Sequence, residues 1–321
     1  MKEKKMVRTP LYRDPLSDGA ADPTIIYNVQ EQSWWMVYTQ RRAARAVPGV
    51  SASHGSALGI ASSTDGEIWN YRGTLNLNVE KGHNTYWAPE IIYDAKKATY
   101  HMYVTYVQGV PSWWGESERS GIVHMVSTNL WDWDYIGFIG GENSQLIDVC
   151  IHPLKDGGYR MWYRNSLKGC IICSRDSTDL YSWSDEKVVL DDVKAEGPNV
   201  FAFKGYYWMV TDPVGIRQGL AVYRSDDLEH FQRQKNILHD SSSRDLDNSV
   251  GRHPDILIHK DEAYIFYFTQ PYKDYSKKLN RHTIVPIDEN RCVIQVARLQ
   301  VEDGQLICDR NGEFELHLKI S

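Results

Sequence analysis

The chain carries no surplus of positive charge, no long apolar run and too few cysteines for a disulfide framework. Its 36 Lys and Arg stand against 42 Asp and Glu, a formal charge of -6. A phosphate backbone would find no electrostatic footing there, so nucleic acid is not an expected partner. No uninterrupted apolar stretch approaches the length of a membrane span, which removes the membrane as well. The five cysteines Cys150, Cys170, Cys173, Cys292 and Cys308 are odd in number and scattered. Reduced thiols are expected, because a secreted disulfide scaffold uses paired, dense cysteines. Cys170 and Cys173 form a C-x-x-C, but Ile171, Ile172 and Ser174 around them read as a strand, and no second pair has zinc-ligand spacing. The opening Met1-Lys2-Glu3-Lys4-Lys5-Met6 is charged and no apolar segment follows it, so the chain reads as cytoplasmic.

Helical stripes are missing too, whereas period-2 alternation recurs. The 321 residues are enough for two average domains, yet no boundary is visible and residues 1–321 are read as one domain. Tyr and Trp, at 20 and 11, far outnumber the 7 Phe. Amphipathic rings suit half-wet surfaces such as sugar sites, and they also fill sheet faces.

Internal repetition decides the architecture. An acidic residue, a short apolar strand, a turn and a second strand mixing aromatics with Met, Val or Ile recur five times. The first copy runs from Asp22-Pro23-Thr24-Ile25-Ile26 to Trp35-Met36-Val37-Tyr38, and the second from Pro89-Glu90-Ile91-Ile92 to His101-Met102-Tyr103-Val104. Asp148, Glu196 and Asp255 open the remaining three. Each hairpin is followed by a second pair of strands, marked by Asp65 and Trp69, Leu130 and Trp133, Leu180 and Trp183, or Leu228 and Phe231. The spacing, roughly sixty residues, is that of a four-stranded propeller blade with loops, and the fold predicted is all-β, a five-bladed β-propeller. Insertions near residues 41–54, 108–120 and 239–252 read as rim loops, where specificity usually resides. The tail beyond Pro271, with Val285, Val293, Val296 and Leu299 at strand-like spacing, is expected to close the last blade onto the first.

In a propeller the first strand of each blade lines the central channel, so acids opening those strands converge. Asp22, Asp148 and Glu196 are thereby expected around one cavity. Glycosidic cleavage needs such convergence: one carboxylic acid protonates the departing oxygen while a carboxylate activates water or attacks the anomeric carbon. A third carboxylate near the acid keeps it protonated. Asp22 is assigned as general base, Glu196 as general acid and Asp148 as the residue that tunes and orients Glu196. The plain alternative is that an acid opening a strand merely caps the preceding turn. Asp14-Pro15 is a rival to Asp22, but it runs into the turn Leu16-Ser17-Asp18-Gly19 rather than a strand.

The motifs Ala21-Asp22-Pro23-Thr24-Ile25, Trp87-Ala88-Pro89-Glu90, Ile147-Asp148 and Glu196-Gly197-Pro198 resemble those of glycoside hydrolase family 43 and related five-bladed propeller glycosidases, which include arabinanases, arabinofuranosidases and xylosidases. The resemblance covers roughly residues 22 to 213. It implies inversion by direct attack of water, with Asp22 as base, Asp148 as pKa modulator and Glu196 as acid. Asp148 departs from the family in being followed by Val149-Cys150, and the segment holding Arg41, Arg42, His54 and Gly55 is outside the general pattern.

Substrate contacts are expected from Trp87, Glu90, Arg41, Arg42, His54, Trp114, Arg252 and His253. Trp87 and the Trp113-Trp114 pair offer faces for sugar stacking, and the arginines offer planar forks for hydroxyls or a uronate carboxylate. No cofactor is required. Relatives place a histidine near a central calcium or water cluster, so His253 is expected near a possible structural calcium, holding its hydration shell rather than binding it. The expected partner is an oligosaccharide containing a plant-type pentose or galactose, attacked from an end or as a short chain because the rim insertions are bulky. A non-catalytic sugar-binding propeller, a retaining fructosidase-like or phosphorolytic enzyme, and a protein-interaction propeller are the competing readings.

Overall fold

Alternating residues on a strand face opposite ways, so a strand apolar on both faces needs a layer on each side. The second strands of the repeats meet that condition: Ser33–Gln40 and Thr99–Val107 are buried almost throughout. The computed structural model describes residues 7–215, 218–316 and 318, and the charged opening Met1–Met6 lies outside the described residues. It shows five four-stranded antiparallel sheets. The first sheet runs from the channel outwards as Ala20–Asn28, Ser33–Gln40, Ala57–Ser63 and Asn70–Thr74. The other four inner strands are Thr85–Asp94, Leu146–Pro153, Ala195–Phe203 and Arg252–His259. Each inner strand touches the next and the fifth touches the first, which makes a closed five-bladed β-propeller. Among the described residues the only helix is the short Ile287–Asn290, and no helix is long and apolar enough to cross a membrane.

The core is divided into five clusters, one at each blade interface. Trp35 and Ile60 of blade 1 pack with Met102 and Val104 of blade 2; Tyr103 and Ile122 pack with Met161 and Tyr163. Trp162 meets Met209 and Tyr223, Trp208 meets Ile265 and Leu299, and Phe266 with Ile294 meets Met36. Trp35, Trp162, Trp208 and eight of the tyrosines are fully buried, so sheet packing absorbs much of the aromatic surplus.

The recurring Ser-x-Asp or Ser-x-Asn between third and fourth strands has a local cause. The hydroxyls of Ser127, Ser177 and Ser225 each accept the backbone N–H three residues on, at 2.9 Å in every case. Asn129, Asp179 and Asp227 then accept the next two N–H groups through Oδ1. The turn forces Leu130, Leu180 and Leu228 to φ near +67°, +67° and +66°. That conformation costs a non-glycine residue roughly 1–2 kcal/mol, which burial of each leucine side chain offsets.

Closure differs from the expectation. The tail supplies the two outer strands of blade 5 itself, Val293–Glu302 and Gln305–Cys308. Val285 instead joins a two-stranded patch with Val47–Pro48. Among the described residues neither end of the chain donates a strand to the opposite blade; they overlap the seam. Tyr12 exchanges backbone hydrogen bonds with Ile294 in blade 5 at 3.1 and 2.9 Å. On the other side, Phe314, Leu316 and Leu318 pack into the blade 5 to blade 1 cluster, and the Trp34 indole donates to the Leu318 carbonyl at 2.7 Å.

Candidate active site

Each inner strand breaks register once, between Ala21 and Thr24, Trp87 and Glu90, Ile147 and Cys150, Glu196 and Asn199, and Arg252 and Asp255. A bulge bends the strand and re-aims a side chain. In every blade a residue within this break has positive φ: Asp22 (+47°), Ala88 (+45°), Asp148 (+58°), Gly197 (+54°) and His253 (+41°). The equivalent positions are therefore Asp22, Ala88, Asp148, Gly197 and His253. This corrects the register read from the acidic anchors: Glu196 lies one residue before its bulge, while Glu90 and Asp255 lie two residues beyond theirs. Threonines on neighbouring blades hold two of these turns, Thr39 accepting from the N–H of Ala88 at 2.9 Å and Thr105 from that of Asp148 at 3.0 Å.

Asp22, Asp148 and Glu196 line one cavity of about 640 Å³. Arg41 reaches both oxygens of Asp22 through Nη2 at 3.2 Å, and His253 Nδ1 lies 3.8 Å from Asp22 Oδ1. Burial pushes the Asp22 carboxyl up, but Arg41, His253 and the Thr39 hydroxyl outweigh it, and the net direction is below the ordinary range. Asp148 goes the other way. Burial dominates and the nearby Glu196 adds to it against the pull of His253 and Arg164, leaving it at about 6. Its Oδ2 accepts the Gly197 N–H at 3.3 Å, tying it to the strand that carries Glu196. Gly197 is required there, since a Cβ would sit 2.9 Å from the His253 ring at positive φ. His253 is mostly withdrawn from solvent, which disfavours its charged form, yet Asp22, Asp148, Glu196 and Asp212 together raise it above the ordinary histidine value.

Glu196 is held by two guanidinium groups. Arg164 Nη1 donates to Oε2 at 2.5 Å and Arg252 Nη2 to Oε1 at 3.4 Å. Arg252 also donates from Nε to Asp212 Oδ2 at 2.9 Å. Arg164 and Asp212 escaped the sequence reading. Both sit where a second strand returns to the mouth: Asp212 pairs with Glu196 and Arg164 with Ile147. The signal that finds them is hairpin register, counted from the acid across the turn, and no local motif marks them.

Trp87, His54 and Trp114 form one wall of the cavity. The His54 ring packs on Trp87 at 4.8 Å and on Trp114 at 5.3 Å, and the Trp87 indole donates to the Ser53 carbonyl at 2.5 Å. Burial holds His54 down at about 4, so it is a neutral ring near neutral pH. Trp114 remains half exposed, an open face for a sugar. Arg41, Arg252 and His253 line the cavity as well, with Lys273, Tyr275 and Asn290 from the segment that follows blade 5's second strand. That segment was read only as closing strand.

Two expected contacts lie elsewhere. Arg42 is not in the lining: its backbone N–H is bound to the Ala52 carbonyl, and its guanidinium lies behind Gly55. Glu90 faces a second cavity, of about 320 Å³, further along the channel with Asp255, Cys150 and Asn199. There Glu90 accepts the Ile151 N–H at 2.8 Å, Asp255 accepts that of Ile25 at 2.8 Å, and the Cys150 sulfur that of Val200 at 3.2 Å. These bonds stitch blade to blade below the site. Asp14 is a turn cap. It accepts from the Leu16 and Ser17 backbone at 2.9 and 2.5 Å and from the Tyr38 hydroxyl at 2.5 Å.

The structural calcium expected in the channel would need backbone oxygens and water among its ligands. Among the described residues no three His, Cys, Asp or Glu side chains are grouped to hold a metal, and His253 is shifted towards its cationic form between Asp22 and Asp148. No step of the chemistry is routed through such an ion.

A family described as "Probable glycosyl hydrolase domain", related to glycosyl hydrolase family 43, matches residues 9–264. No curated protein matches the sequence. Among solved structures, a thermostable family 43 glycoside hydrolase shares 18% identity over 95% of this chain and 99% of its own, with a TM-score of 0.68. A family 43 β-1,3-galactosidase with galactodeoxynojirimycin shares 14% identity over 93% and 96% of the two chains, TM-score 0.66. A family 43 enzyme of Xanthomonas citri complexed with xylotriose shares 13% over 90% of each, TM-score 0.64. At these identities the structural likeness speaks to the fold.

Proposed function

The chain belongs to the glycosyl hydrolases related to family 43 and is a glycosidase, and from that premise we propose that it cleaves its glycosidic bond with inversion, using Asp22 as general base and Glu196 as general acid. The observation that carries this reading is the single cavity shared by Asp22, Asp148 and Glu196. Asp22, held below the ordinary carboxylate range chiefly by Arg41 against its burial, is ionised at neutral pH and suited to take a proton from water. Glu196, in the same cavity, reaches the leaving oxygen. Asp148, bonded to the Gly197 N–H beside Glu196, positions that acid and supplies the neighbouring negative charge once ionised. Inversion places the attacking water between base and anomeric carbon, on the face opposite the acid.

The substrate is an oligosaccharide containing a pentose or galactose unit, stacked on Trp87 and Trp114. Similar structures carry names of xylosidase, arabinanase and β-1,3-galactosidase type, which supports this class. No cofactor enters the reaction. The test is turnover of nitrophenyl glycosides and of arabinan, xylan and galactan oligosaccharides by Asp22→Asn and Glu196→Gln. Each variant is expected to fold, to bind glycan and to lose on the order of 10²–10⁴-fold in kcat. Undiminished turnover in either variant removes the assignment.

A further inference from the structure

A carboxyl that hands its proton to a leaving oxygen needs an oxygen clear of other donors. Both oxygens of Glu196 already accept from a guanidinium, Oε2 from Arg164 at 2.5 Å and Oε1 from Arg252 at 3.4 Å. Two guanidinium donors are the partner set of a carboxylate, and they compete with the substrate for it.

The two arginines are not equivalent. Arg252 has a second carboxylate, Asp212, at 2.9 Å, so it stays paired if Glu196 turns away. Arg164 has no such reserve. Among the described residues Glu196 is its only carboxylate within 4.0 Å, its Nη2 meets the Cys170 sulfur at 3.0 Å, and its buried Nε has no hydrogen-bond partner. The Arg164 side chain is only 17% exposed. Releasing Glu196 to a neutral sugar therefore leaves a mostly buried guanidinium with no carboxylate in contact and only the charge of the more distant Asp148 to balance it, a costly arrangement.

We propose that the sugar seated beside Glu196 carries a carboxylate, as a uronosyl unit does, and that this carboxylate takes over the guanidinium of Arg164. The exchange keeps Arg164 paired in a planar two-point contact. It frees Glu196 to take a proton from solvent and deliver it to the leaving oxygen. The cavity tolerates the added charge, since the carboxylates of Asp22, Asp148, Glu196 and Asp212 are already balanced. Arg41, Arg164, Arg252 and Lys273 stand against them in the same lining. The inference rests on the proposed role of Glu196 and adds the chemical class of its neighbouring sugar.

Binding tests it apart from turnover. D-galacturonate and D-glucuronate are titrated by NMR against D-galactose and D-glucose at pH 7 and fixed ionic strength. The uronates are expected to bind at least about tenfold more tightly than their neutral counterparts. In Arg164→Gln the ratio of uronate to neutral-sugar affinity should fall to about one. Neutral sugars binding as well as uronates to the unaltered protein, no detectable uronate binding, or an advantage that survives Arg164→Gln each overturns the proposal. Such a failure leaves hydrolysis of neutral glycosides standing; the acid assignment itself fails only through undiminished turnover in Glu196→Gln.

Discussion

At the scale of single residues, what sets the site is how each carboxyl is paired. Asp22 and Asp148 occupy equivalent bulges and are both buried, yet they shift oppositely because Arg41 faces one and Glu196 the other. Asp148, at about 6, is neutral below that pH and charged above it. If its charge helps Glu196 act, kcat/KM should rise as pH increases through about 6, and Asp148→Asn should lose that limb of the profile. A limb unchanged in the variant contradicts the role. Asp255 gives a stability test. Burial raises it from 3.8 to about 6, so the folded protein holds this proton more tightly than the unfolded chain. Its stabilising contribution is complete below 3.8 and is lost as pH rises through about 6, a swing of up to about 3 kcal/mol. Thermal denaturation across pH 4 to 8 should show Asp255→Asn gaining on the unaltered protein as pH rises. The three acids were legible in the sequence because Pro or Gly punctuates the strand beside two of them and each opens the first strand of its own repeat. Arg164 and Asp212 were not, since they answer to a partner across a hairpin whose register no local pattern prints.

At the scale of elements, the repeat unit is a strand quartet with two built-in irregularities, a bulge at the channel end and a hydroxyl-capped turn at the rim. The sequence marked this turn only through the recurring Leu130, Leu180 and Leu228 with their aromatic partners, and its cause, an N–H accepted by serine that drives a leucine to positive φ, is a matter of coordinates. Ser177→Ala should cost about 1–2 kcal/mol, because the Leu180 N–H loses its acceptor in a buried turn; urea denaturation measures it. The bulges were invisible. One extra residue shifts which side chain enters the funnel without changing strand composition, which is why Glu90 was grouped with the site residues and instead stitches blade 2 to blade 3.

For the whole molecule, blade number and ring closure follow from five similar units, each with two apolar faces to cover. How the ring is sealed depends on contacts between the two ends of the chain, and those have no signature in either end alone. The seam is a packed overlap rather than a shared strand. Leu316, 2% exposed in the cluster that joins blade 5 to blade 1, should therefore matter as much as a mid-chain core residue. Leu316→Ala is expected to cost about 2–5 kcal/mol, against about 0.5 kcal/mol or less for Leu167→Ala at the surface. Equal unfolding midpoints for the two variants would mean that the tail does not seal the ring.

The account centres on water attacking directly, activated by Asp22 and opposed by Glu196 across one cavity. The anomeric configuration of the first-formed sugar, followed by proton NMR before mutarotation, tests this most directly. The account predicts a product of inverted configuration. A product that retains the configuration of the substrate would mean a covalent glycosyl intermediate, and would contradict it.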